Sequence, residues 1–107
     1  MSRAQRDKGA QFERDVQDLA RAHGFTACRR AFASGAQGGA DLTGIPGVAI
    51  ECKRQERVSL PAWWAQAEAA ADTGEIPVIA LRWSRGPALA VLPLDELFAL
   101  LRLRAEP

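Results

Sequence analysis

Cysteine and histidine are scarce in this 107-residue chain, and its charges nearly cancel. Each scarcity excludes something. Two cysteines, Cys28 and Cys52, cannot build a disulfide framework, and neither has a partner at metal-ligand spacing. Both read as buried thiols among apolar neighbours. The lone histidine, His23, precedes Gly24 at an expected helix end, where it complements the C-terminal dipole and needs no catalytic role. No apolar run approaches bilayer-spanning length, and Met1-Ser2-Arg3 leads into no signal-type segment. A cytoplasmic protein without a membrane partner is expected. Repeats, low-complexity tracts and linkers are also missing, so residues 1–107 are expected to form one domain around one core.

A net charge of +1 argues against a general coat protein for nucleic acid. The distribution is less even. Residues 1–57 carry ten Lys/Arg against seven Asp/Glu, whereas residues 58–107 carry four against six. Basic side chains therefore gather in one half, as a phosphate-tracking surface requires, although a solvated mixed-charge surface would look similar.

From about Asp7 to His23, Phe12, Val16, Leu19 and Ala20 recur at helical spacing, and Gly24 ends the run. Phe25 to Phe32 reads as a strand, and Ala33 to Gly39 as a flexible loop. Asp41–Thr43 and Val48–Arg54 read as strands joined by Gly44-Ile45-Pro46-Gly47. A helix is expected from Leu60 to Thr73, a buried strand from Ile76 to Trp83, a further strand from Ala88 to Leu92 and a helix from Glu96 to Arg104. Leu97, Leu100 and Leu101 line one side of that last helix, which Asp95 caps or opens. The order αβββαββα suits a central mixed sheet flanked by helices, an α/β fold.

The densest chemistry lies in Asp41 and Glu51-Cys52-Lys53. Residues two apart on a strand share a face, so Glu51 and Lys53 look one way and Cys52 the other. Two carboxylates beside an ammonium suit a hard cation such as Mg²⁺ and an activated water, chemistry that usually cuts phosphodiesters. Asp41, Glu51 and the carbonyl of Cys52 are the expected metal oxygens, with Lys53 beside the attacking water. Glu13, on the flank of the first helix's apolar stripe, is a further candidate ligand. The bland alternatives are a strand-opening aspartate, an edge glutamate salt-bridged to Lys53, and an exposed helical Glu13.

The hairpin supplies a register test. With Pro46 and Gly47 alone as the loop, Asp41 falls opposite Cys52 and the carboxylates part. With a three-residue loop, or a bulge at Gly44 or Gly47, Asp41 falls opposite Glu51. The second arrangement is expected.

Lys8-Gly9-Ala10-Gln11-Phe12-Glu13-Arg14, His23-Gly24-Phe25, Arg29, Asp41, Ile50-Glu51-Cys52-Lys53 and Gly74-Glu75-Ile76-Pro77-Val78-Ile79-Ala80 together resemble the archaeal-type Holliday junction resolvases of the PD-(D/E)XK nuclease superfamily. The likeness covers most of residues 8–83. It implies a restriction-endonuclease-like core and a Mg²⁺-dependent homodimer, with Mn²⁺ as a substitute, nicking opposed strands of four-way DNA junctions. A phage-encoded or bacterial member would work in the host or cell cytoplasm. Glu13, Asp41, Glu51 and Lys53 match the family's active-site set, and Ser34 a serine in a loop near the cut. Lys8, Arg14, Arg29, Arg30, Arg54 and Arg57 become candidate DNA contacts, as does Gln66, which several nucleases of this superfamily place beside the metal. Arg3, Arg6 and Lys8 would form a basic arm. The family's proline is Ala40 here, and the chain is less basic than many relatives.

Two other functions keep parts of this picture: a repair or restriction-like nuclease acting on flaps or duplex ends, and a non-catalytic DNA-binding dimer. Adjacent Trp63 and Trp64 point about 100° apart on a helix, so one can enter the core and leave the other for a dimer contact or, less favoured, a DNA base.

Overall fold

The computed structural model describes residues 2–31 and 39–106. Its elements are α1 (Arg3–Ala22), β1 (Arg29–Arg30), β2 (Leu42–Thr43), β3 (Val48–Arg54), α2 (Leu60–Ala70), β4 (Ile76–Arg82), β5 (Leu89–Val91) and α3 (Leu94–Ala105). This is the expected αβββαββα order.

Helix α1 begins four residues before the apolar periodicity does. Ser2 caps it: the Ser2 hydroxyl accepts from the Gln5 N–H at 3.1 Å, and the Gln5 side chain accepts from the Ser2 N–H at 3.1 Å. Arg3, Arg6 and Lys8 therefore stand on the first turns of a helix and form no free arm. The helix stops where Gly24 adopts φ +98° and the Phe25 N–H turns back to the Ala20 carbonyl. Phe12 is buried, whereas Leu19 stays exposed.

The expected first strand shrinks to two residues. Cys28 donates its N–H to the Phe25 carbonyl at 3.0 Å, so the chain turns where a strand was expected, and Phe25 is left exposed. Local turn bonding wins over β-propensity here.

The five strands lie side by side in sequence order. β3 and β4 run parallel, as the α2 crossover permits, and all other neighbours are antiparallel. Alternation then sorts the faces. Ile50, with Leu42 and Cys28, forms one cluster against Val16 and Ala20 of α1; Ile79 and Leu81 form another with Trp63 and Ala67 of α2. Trp63 enters the second cluster, and Trp64 packs half-buried against it. The result is a mixed sheet between helices, a restriction-endonuclease-like fold.

The hairpin answers the register question. The Val48 N–H donates to the Ile45 carbonyl at 3.2 Å, closing a turn over Pro46 and Gly47. Yet Leu42 pairs with Ile50. The path from Leu42 to Ile45 is thus one residue longer than that from Val48 to Ile50. Gly44, at φ +96°, absorbs the extra residue as a bulge. Continued one residue outward, this register brings Asp41 to the level of Glu51, and their side chains share a hydrogen bond.

Helix α3 departs from expectation. It starts at Leu94, ahead of Asp95, and none of its residues is buried. Among the described residues no helix is long and apolar enough to cross a membrane.

Candidate active site

Asp41 sits just before β2, where the bulge has set its height. Its N–H donates to the Ile50 carbonyl at 2.9 Å, and its Oδ2 accepts from the Cys52 N–H at 2.8 Å. The aspartate is thus stitched to β3 from both its backbone and its side chain. Near it, Glu51 is buried, 9% exposed, the one charged side chain so buried among the described residues.

Burial of Glu51, and next the neighbouring charge of Asp41, push its carboxyl up to about 7; Lys53 opposes the shift, while a hydrogen bond with Asp41 and the charge of Glu13 add to it. Two carboxyl groups this close cannot both ionise cheaply without a cation between or beside them. Lys53, two residues along the same face, bonds through Nζ to Oε1 of Gln66 on α2. That contact spans the sheet and the crossover helix.

A cleft of about 590 Å³ opens between the N-terminal half of α1 and the end of β3. Asp41, Cys52, Lys53 and Arg54 form one wall, and Arg6, Lys8, Gly9 and Glu13 stand on the other. Glu51 is not among the lining residues. The Cys52 thiol is raised above its ordinary range by burial and then by the charge of Asp41.

The remaining candidates divide. Glu13 lines the cleft but is ion-paired, its Oε1 accepting from Arg30 Nε at 3.1 Å. Arg30 is in turn held by its backbone, whose N–H donates to Gln17 at 3.0 Å. Arg54 pairs with Glu56 at 2.7 Å and donates to the Ser84 hydroxyl at 3.3 Å. Arg14 is exposed, bonded to Gln11 at 2.9 Å and not on the cleft, and Arg29 and Arg57 are exposed too. Ser34 lies outside the described residues.

Glu56 went unnoticed in the sequence. Its carboxylate accepts the Ser84 N–H at 2.9 and 3.0 Å, tying the loop after β3 to the turn after β4. Hydrogen bonds to Ser84 and Arg54 hold its carboxyl below the usual range. Nothing local distinguishes it from a solvated glutamate. The α1 cap was legible, by contrast, as Ser2-Arg3-Ala4-Gln5.

Among the described residues no group of three or more His, Cys, Asp or Glu side chains is arranged to hold a metal ion. The two carboxyl groups that do meet are those of Asp41 and Glu51, joined by a side-chain hydrogen bond. Mg²⁺ characteristically uses one or two carboxylates and keeps several waters, so the all-oxygen pair fits it. The like-charge crowding at Glu51 is the feature such a cation would relieve.

A family model described as "Phage putative PDDEXK endonuclease" matches residues 4–106, nearly the whole chain. No curated protein and no solved structure matches it.

Proposed function

The chain belongs to this family of phage PDDEXK endonucleases, and we propose that it is a Mg²⁺-dependent DNA endonuclease whose preferred substrate is branched DNA, four-way junctions foremost. One observation carries the chemistry: the carboxyls of Asp41 and Glu51 meet in a side-chain hydrogen bond, with Lys53 on the Glu51 face of β3. The preference for junctions rests on the likeness of the motifs from Lys8 to Ala80 to the archaeal-type resolvases.

Asp41, Glu51 and the Cys52 carbonyl would hold the cation, with Glu13 reaching it only if its pair with Arg30 opens. A bound Mg²⁺ supplies Lewis acidity toward a phosphate oxygen and lowers the pKa of a coordinated water. The chain's own residues do the rest. Lys53, held by Gln66, orients the attacking water and stabilises charge gathering on the scissile phosphate. Arg6 and Lys8, across the cleft, can follow the flanking backbone. Asp41 keeps its place through the Cys52 N–H while the reaction proceeds.

Paired nicks in a four-way junction call for two sites in one assembly, so a homodimer belongs to this reading. The test is cleavage of synthetic four-way junctions, flaps and linear duplexes by the purified chain, with Mg²⁺, with Mn²⁺ and with chelator. Junctions should be nicked fastest, and Glu51→Gln should remove the activity. Equal cutting of flaps or duplex ends would transfer the reading to a repair or restriction-like nuclease. Junctions left intact in both cations would end it.

A further inference from the structure

Helix α3 is an apolar element that the described residues of its own chain leave uncovered. Leu94, Phe98 and Leu101 are 63%, 59% and 44% exposed, and the helix has no buried residue at all. A contiguous apolar surface of this kind marks an interaction site. None of its residues lines the cleft, so the catalytic reading does not account for it.

The charge pattern identifies the occupant. At 100° per residue, Leu94, Phe98, Leu101 and Ala105 fall in one stripe along the helix. Asp95 and Arg102 lie together on one border of that stripe, at opposite ends, and Arg104 lies on the other border. When two identical helices pack antiparallel about a two-fold axis, each border meets itself reversed. Asp95 then meets Arg102, twice by symmetry. Packed parallel, opposite borders meet instead, and Arg102 approaches Arg104, a like-charge encounter. The stripe is thus complementary to its own reversed copy.

We propose that α3 is a self-association surface, on which two copies of this chain pair antiparallel with Asp95 of one against Arg102 of the other. The proposal goes beyond the catalytic one and is independent of what the cleft cuts. It names the surface and orientation of the dimer, and it brings two clefts into one assembly.

Light scattering of the full chain at micromolar concentration tests it without any cleavage assay. The wild type should have twice the mass of one chain. Asp95→Arg and Arg102→Asp should each weaken the dimer roughly tenfold or more by creating a like-charge pair. The combined variant should restore it, since the two charges have only exchanged places. Circular dichroism establishes that each variant is folded, and Phe98→Glu provides a second route to the monomer through the stripe itself. A monomeric wild type, a dimer indifferent to the single charge reversals, or a folded double variant that stays monomeric would each overturn the proposal. So would a monomer that gains mass only with a different protein.

Discussion

The backbone N–H of Cys52 donates to Oδ2 of Asp41 at 2.8 Å, so a residue on β3 holds the acid that precedes the neighbouring strand. The bond does two things at once. It satisfies a β3 donor where the β2 ladder has ended, and it fixes the orientation of a carboxylate at the rim of the cleft. Its strength derives from the acceptor's charge.

Asp41→Asn separates these two roles. The amide oxygen can still accept from Cys52, so the fold should survive, while the anionic ligand is lost. Outer-shell partners of bound metals cost about 10–100-fold when removed, and a ligand should cost more than about 100-fold in cleavage rate. Single-turnover nicking with matched circular dichroism checks it. Undiminished activity would remove Asp41 from the site.

On the proposed reading Gln66 serves the reaction through Lys53, whose ammonium it holds, so the two residues should not add. Gln66→Ala is expected to slow the chemical step by about tenfold, with little change in DNA affinity, by freeing the ammonium. Lys53→Ala should cost more, and the double variant should be no worse than Lys53→Ala alone. Single-turnover rates for the three variants test this coupling. Additive losses would show that Gln66 works elsewhere.

The raised carboxyl of Glu51 makes the metal-free protein sensitive to pH. Its value is about 7 in the folded chain and 4.5 when unperturbed, so between those values the folded state binds the extra proton. Stability from this group is fully present below about 4.5 and is lost as pH rises through about 7. In chelator, urea unfolding should therefore show less stability at pH 8 than at pH 5, and Glu51→Gln should flatten that difference. Added Mg²⁺ should restore stability on the alkaline side, where it no longer competes with the proton. A wild-type slope unchanged by Glu51→Gln would assign the titration to another group.

Two glycines of one hairpin should respond differently to alanine. At Gly44, with φ +96°, a Cβ would fall 2.0 Å from the Ala27 carbonyl oxygen, which the backbone cannot accommodate. At Gly47, with φ +74°, nothing lies within 4 Å. Gly47→Ala should cost about 1 kcal/mol and spare activity. Gly44→Ala should cost about 3 kcal/mol or more, and it should impair cleavage even where the protein remains folded, because the bulge sets the height of Asp41. Denaturant melts and nicking rates for both variants provide the comparison. Equal costs would mean that the bulge is not what holds the register.

Much of this molecule is written locally. Val48–Arg54 forms a strand with the bounds its apolar run suggests, and the two-residue period places Glu51 and Lys53 together. The element order follows from turns and periodicity, which depend on near neighbours. Even the hairpin offered only two registers, and one of them joined the carboxylates. What local pattern could not supply was the choice among surfaces. The Arg30 pair that restrains Glu13, the Lys53–Gln66 bond and the Glu56 clasp on Ser84 join residues far apart in the chain. The same limit explains α3, whose leucines announce a face to be buried, although among the described residues none of the helix is buried. Periodicity determines which side chains share a side; only packing in three dimensions decides what stands opposite, because burial is a property of distant neighbours brought together.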